Sequence, residues 1–477
     1  MRRLYLAVVK LRMLYGADVF LGPNLRNDTI KAKKGGRATL NKLAAIQQSA
    51  AIAIVGGLRT SPNDILDVHA NLLPFHLMVD KIRFQAALRL ATLPSSHPLC
   101  KPVLQAARRF VKKHHSPLHE LMYKFKLKPK LMEKIAATRQ DPKWEPGVAI
   151  RIAGDKGRAK EEDSRDRSHI KVYMDGSGVE GQIGAAAILY RDGVLKRTRR
   201  MKVGSAKHHT VFEGEGIGMI LGLELIREEE VAEGMIPIGI DNTAAISATH
   251  AIKPSPSHYI WDILHRRVAM VCNKHKRLDI LVKWTPGHMG IEGNERADEE
   301  AKKAVREGSS PSHKLPAPLR KILPRSKSAA RQEFLRKLKL AAIKLWKESP
   351  RFERIAHLGA TFKHNSFTKL TNNMHHERAS LLFQLRVGHV PLNAYLYKIK
   401  KSNTPICMNC HQHNETVIHY ILHCTKFMEA RKTMFHEAGR DARNIGKLLS
   451  MADLLPHLFW YIKVTGRFRM RDREAIT

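Results

Sequence analysis

Between about residues 168 and 307 the apolar residues repeatedly switch period, and this restricts the fold more than any other feature of the chain. Ile170 to Asp175 reads as a short strand. Gly184 to Tyr190 and Val194 to Val203 read as two more, joined at Asp192-Gly193, a pair that tolerates the positive φ angles of a tight hairpin. Val211, Ile217, Ile220, Leu221 and Leu225 then recur at helical spacing across 210–230. Ile236 to Asp241 is a strand, and helices are predicted within 242–250 and 257–274. Leu278, Ile280, Val282 and Trp284 alternate along a last strand, and a helix over 294–306 closes the series. The order β-β-β-α-β-α-α-β-α predicts an α/β fold, a mixed five-stranded sheet with flanking helices. Mostly helical regions are expected before and after it.

Charge narrows the partner. Lys and Arg number 83 against 44 Asp and Glu, a formal excess of +39, which favours a polyanion and nucleic acid over a membrane surface. No run approaches the roughly 20 apolar residues of a membrane span. Met1 to Val9 begins like a signal peptide, but Lys10 and Arg12 cut its apolar stretch short. An intracellular protein, nuclear or cytoplasmic, is the expectation. Five cysteines make no disulfide framework.

Within this basic chain, four acids recur where strands end and helices begin: Asp175, Glu215, Asp241 and Asp298. Asp175 ends the first strand, before Gly176-Ser177-Gly178, where backbone can approach a ligand closely. Asp241 ends another strand, and α/β sheets bind ligands beyond strand ends. Glu215 and Asp298 fall in early helical turns. Several carboxylates converging on one point repel one another unless a cation lies between them. Mg²⁺ prefers carboxylate oxygens and water, and two such ions about 4 Å apart activate water and stabilise a leaving alkoxide in phosphodiester hydrolysis.

Four blocks carry a resemblance: Tyr173-Met-Asp-Gly-Ser177, Glu213-Gly-Glu215, Ile240-Asp-Asn242, and the string from Trp284 through His288 to Asp298. In this order, with His288 ten positions before Asp298, they resemble type 1 ribonuclease H over residues 168–307. The resemblance implies that Asp175, Glu215, Asp241 and Asp298 hold two Mg²⁺ ions, for which Mn²⁺ can substitute. It implies that His288 handles the attacking water or the product, and that Ser177 and Asn242 touch the hybrid. The implied activity is endonucleolytic cleavage of the RNA strand of RNA–DNA hybrids, leaving 5′-phosphate and 3′-hydroxyl ends. Two features depart from the family pattern: Gly216 stands where an apolar residue usually follows the glutamate, and Glu213 competes with Glu215 from a different helix face.

Near the C-terminus, Cys407-x₂-Cys410-x₈-His419-x₄-Cys424 has the donor types and paired spacing of a structural Zn²⁺ site, with His413 or His423 as alternatives to His419. This segment, with Ser380-Leu-Leu-Phe-Gln-Leu-Arg386 and Gly388-His-Val-Pro-Leu-Asn393 upstream, resembles the cysteine–histidine segment that follows ribonuclease H in non-LTR retrotransposon polyproteins. Leu14-Tyr-Gly-Ala-Asp18, Gly57-Leu-Arg-Thr-Ser61 and Leu90-Ala-Thr-Leu-Pro94 resemble the post-palm region of those elements' reverse transcriptases. No Asp-Asp pair occurs, so the Tyr-x-Asp-Asp block has no counterpart and DNA synthesis is not expected.

The expected organisation is a helical remnant over 1–138, a linker over 139–167, the ribonuclease H domain over 168–307, and a linker with basic helices over 308–400. A zinc segment over 401–430 and a tail over 431–477 complete it. The competing expectation is a catalytically decayed, retroelement-derived protein that binds nucleic acid without turnover.

Overall fold

The computed structural model of the chain describes residues 1–21, 34–108, 116–141, 143–358 and 366–468. The other positions, which fall in the expected N-terminal remnant, linker, basic helical region and tail, lie outside the described residues. The chain divides into two compact units, one formed by Phe84–Phe334 and one by Met1–Arg83 with Leu335–Thr477.

The first of these units holds a mixed sheet of six strands: β1 (Ala149–Arg151), β2 (Ile170–Val179), β3 (Gln182–Arg191), β4 (Val194–Ser205), β5 (Gly234–Ile240) and β6 (Leu278–Trp284), in the order β1-β6-β5-β2-β3-β4. β2, β3 and β4 form an antiparallel meander, while β2, β5, β6 and β1 run parallel. Five strands are expected from the sequence; the sixth is β1, inside the expected linker. Its three residues are all exposed, so no alternation betrays it. The same stretch holds helix α1 (Lys156–Arg165), in which Ala159 alone is buried. Ion pairs anchor that region instead, with buried Lys283 of β6 within 2.8 Å of both Asp163 and Asp166.

Three helices cover one side of the sheet or its C-terminal edge: α2 (Val211–Glu228), α3 (Thr243–Ala248) and α4 (His258–Lys274). Val172, Met174, Leu189 and Ile238 from the strands pack with Ile217, Leu221, Trp261 and Leu264 in one core. Residues in such a core contribute about 1.5–3 kcal/mol each on burial. Helix α5 (Glu292–Glu307) packs with Tyr173, Ile188 and Tyr190 in a second cluster through Ile291 and Ala297. Residues 309–328, at the start of the expected linker, carry two short 3₁₀ turns, Ser312–Lys314 and Ala317–Arg320, and Leu315, Leu319 and Leu323 of this stretch enter the main core.

In the other unit, which includes helix Lys34–Val55, Arg386 of helix His376–Val387 is buried beside His69 of helix Asn63–Ala70. Its guanidinium donates to the Leu449 and Leu358 carbonyls and stands beside His69. The expected tail contains helices Met428–Ala438 and Leu455–Thr465, the second burying Leu458, Tyr461 and Ile462. Among the described residues no helix is long and apolar enough to cross a membrane.

Candidate functional site

Asp175 lies within β2, and Gly176 beside it explains how that strand reaches α2. A Cβ on Gly176 would lie 2.3 Å from the Glu215 backbone nitrogen, so only glycine lets the strand and helix close together here. Glu215 therefore sits opposite Asp175. Gly216 has a similar cause: a Cβ there would lie 2.7 Å from Ile260 of α4. The departure from an apolar residue at this position is thus a packing solution between two helices. Asp241 follows directly on β5, where Trp284 Nε1 donates to its backbone carbonyl at 3.0 Å.

Oxygens of Asp175, Glu215 and Asp241 come within 4.8 Å of one another. Asp175 and Glu215 are buried, and Asp241 is the most open of the three. Burial, then the charges of Asp241 and Asp298, push the Asp175 carboxyl up to about 7. Burial, then the charges of Asp175 and Asp241, hold Glu215 well above the usual carboxylate range. Asp241 is raised too, by burial and by Asp298, with His288 opposing. One oxygen, Glu215 Oε2, is buried with no hydrogen-bond partner. A buried orphan acceptor among repelling acids costs free energy that a shared cation would offset.

Asp298 stands apart from this triad. Its charge is felt at Asp175 and Asp241, but its Oδ2 is 2.5 Å from Lys302 Nζ, one helical turn on in α5. His288 is exposed, on the loop between β6 and α5, with φ +58°. That loop passes close to the acids: a Cβ on Gly287 would lie 3.1 Å from Asp241 Oδ2.

Ser177 is buried on β2, two residues past Asp175 and so on the same strand face. Asn242 caps α3, its Oδ1 accepting from the Ala244 and Ala245 amides, and its side chain also hydrogen-bonds Glu215. It holds the acidic cluster in place. Glu213 is fully buried and committed elsewhere: it forms the capping box of α2 with Thr210 and accepts from Tyr259 Oη. Sequence reasoning gave no role to Lys302 or to Asn294. The i,i+4 spacing of Asp298 and Lys302 was the available signal for the first. Asn294, buried with an unpartnered Oδ1, offered none.

The second ligand-rich cluster joins Cys407, Cys410, His419 and Cys424, whose donor atoms also lie within 4.8 Å of one another. Cys407 Sγ is 3.9 Å from Cys424 Sγ, and Cys410 Sγ is 3.4 Å from His419 Nε2. A tetrahedron with Zn–S near about 2.3 Å and Zn–N near about 2.0 Å has edges of about 3.8 and 3.5 Å, so this donor set fits zinc. A turn prepares it, with the Cys407 amide donating to the His413 carbonyl and the His411 amide to that of Cys407, each at 2.8 Å. Buried Glu415, clamped by Arg467, lies 4.0 Å from Cys407 Sγ.

No family model and no curated protein matches the chain. Among solved structures it is similar to ribonuclease H1 from the halophilic archaeon Halobacterium salinarum, at 18% identity and a TM-score of 0.24, covering 29% of this chain and 99% of that one. It is also similar to LC11 ribonuclease H1 in complex with an RNA/DNA hybrid, at 15% identity and a TM-score of 0.24, covering 29% of this chain and 97% of the other. A third is the N-terminal ribonuclease H domain of a Mycobacterium tuberculosis protein, solved as a maltose-binding-protein fusion. There the identity is 16% and the TM-score 0.23, with 29% and 96% of the two chains covered.

Proposed function

We propose that this protein is a divalent-metal-dependent endonuclease that hydrolyses the RNA strand of RNA–DNA hybrids. The observation that carries the reading is the meeting of Asp175, Glu215 and Asp241 around an orphaned, buried Glu215 oxygen. The sequence resemblance of the blocks around those residues to type 1 ribonuclease H supports it. Asp175, Glu215 and Asp241 would hold Mg²⁺ or Mn²⁺, with Asp298 completing the shell once it leaves Lys302. Bound there, such ions supply activation of water and stabilisation of the leaving oxygen.

The chain's own residues do the rest. Asn242 fixes the Glu215 carboxylate. His288, exposed on a loop beside Asp241, would take or give a proton at the scissile phosphate. Ser177 would meet the hybrid where 2′-hydroxyls of the RNA strand line a wide minor groove, which distinguishes that strand from DNA. The net charge of +39 supports affinity for the phosphates.

We assign residues 168–307 to this activity and 401–430 to a structural zinc module. The flanking helical regions are assigned to retroelement remnants without polymerase function. Incubating the purified chain with end-labelled hybrid, duplex RNA and duplex DNA in Mg²⁺ tests the reading. Cleavage confined to the RNA of the hybrid is expected. Equal cutting of all three would indicate a general nuclease, and retention of the hybrid without cleavage a decayed binding protein.

A further inference from the structure

The unit formed by residues 1–83 and 335–477 contains a cavity of about 510 Å³, within the range of small-molecule sites. It lies between helices Lys34–Val55 and Asn63–Ala70 and the segment 342–349. Its lining contradicts the rest of the protein. Lys and Arg make up 83 of 477 residues, yet none of the seventeen described lining residues is either. The acids present are Asp64 and Asp67. Apolar surface from residues such as Ala44, Leu66, Phe75 and Leu345 makes up much of the remainder.

The two acids differ. Asp64 is already satisfied, accepting from Ser349 Oγ and lying 3.2 Å from Arg351. Among the described residues Asp67 has no cationic partner. It is 8% exposed, and its Oδ1 accepts from Gln47 Nε2 at 2.9 Å. Gln47 is itself pinned, donating to the Leu73 carbonyl at 2.9 Å and accepting from Tyr5 Oη at 3.0 Å. A three-residue network thus fixes the Asp67 carboxyl in the cavity wall without neutralising it. Burial, with Asp64 adding to it, raises this carboxyl to about 7, the behaviour of an acid that lacks a counter-charge. An anion would meet no lysine or arginine among the described lining residues and would face two carboxylates. A cation with an apolar body would meet a buried acid on one side and hydrocarbon on the other, in a low dielectric that strengthens the pair.

We propose that this cavity binds a small organic cation, an amidinium, guanidinium or ammonium head on an apolar body, with Asp67 as its counter-ion. The site is independent of the nuclease reading, since no residue of the carboxylate triad lines it.

Three probes of one shape and different charge test it on the full chain: benzamidine, neutral benzamide and anionic benzoate, followed by isothermal titration calorimetry at pH 8. Benzamidine should bind with a dissociation constant of about 1 mM or below, at least about tenfold tighter than benzamide, and benzoate should not bind. Asp67→Asn keeps the acceptor for Gln47 and removes the charge, so it should weaken benzamidine about tenfold while leaving benzamide unchanged. If that variant fails to fold, Ala44→Phe, which fills the cavity from a half-exposed position, should abolish binding of benzamidine. Equal affinity for the three probes, no binding of benzamidine at about 10 mM, or undiminished binding in the folded variants would overturn the proposal.

Discussion

The carboxylate cluster and the cysteine–histidine cluster are each drawn to within 4.8 Å, but the chain assembles them in opposite ways. Asp175, Glu215 and Asp241 come from β2, α2 and the end of β5, and the sheet core sets their separation. Cys407 to Cys424 span one short stretch whose local turn brings the donors together. The first cluster is scaffolded whether or not metal is bound, and it leaves one buried oxygen unsatisfied for a ligand. The second also rests on buried neighbours, among them Tyr420, Ile421 and Arg431, which donates to the Cys424 carbonyl, but its donors come from a single stretch, so a metal bound there would support local folding. A site held by a large core can store repulsion and spend it on catalysis; a site held by its metal cannot.

The contrast makes graded predictions. The largest effect is expected from Asp175→Asn. Removing a ligand should lower hybrid cleavage by more than the roughly 10–100-fold typical of losing a supporting residue. Circular dichroism should stay that of the wild type, because the scaffold does not depend on this charge. If the fold is lost along with activity, the two clusters are less different than argued.

Stripping zinc, or Cys424→Ser, should do the reverse. Structural zinc contributes about 10–16 kcal/mol to small zinc-finger modules, so amides of Cys407 and His411 should lose hydrogen-exchange protection. Hybrid cleavage per folded molecule should fall by less than about tenfold, below the loss expected from a direct metal ligand. A complete loss of cleavage on zinc removal would join the two sites functionally.

The pH dependence of stability sharpens the point about stored repulsion. The folded Asp175 carboxyl titrates at about 7, above the 3.8 of the free group. Its contribution is therefore fully present below pH 3.8 and is lost as pH rises through 7. In zinc-replete, magnesium-free buffer, the melting temperature of wild type should fall relative to Asp175→Asn across this window. Added Mg²⁺ should restore it at neutral pH. A flat difference between the two proteins would show that no repulsion is stored. The smallest effect concerns Lys302→Met. Freeing Asp298 from a partly exposed pair worth about 0–1 kcal/mol should lower the Mg²⁺ concentration for half-maximal cleavage by up to about fivefold.

How much could be read in advance follows the same division. Periodicity located the five long strands and the helices between them, because each of those elements buries a run of apolar residues. The acids carried by strands and an early helical turn, and the Cys/His spacing, picked out residues that the fold brings together, although β2 runs on past Asp175 to Val179. What escaped lacked a pattern. β1 buries nothing, and α1 is held through Lys283 with Asp163 and Asp166, an ion cluster whose members lie far apart in sequence. Leu315, Leu319 and Leu323 do recur every fourth residue, but the Pro, Ser and Lys around them masked the signal. The sequence motif grouped Asp298 with the other three acids, whereas the structure leaves it outside their cluster. Its diversion to Lys302 was a matter of side-chain geometry.

The claim on which the rest stands is that Asp175, Glu215 and Asp241 share a divalent cation. Crystals soaked in Mn²⁺ and measured at the manganese absorption edge test it directly. The account predicts an anomalous peak bonded to oxygens of all three residues, beside a separate zinc peak at Cys407, Cys410, His419 and Cys424. A well-ordered map showing the zinc peak and no manganese between the three acids would contradict it.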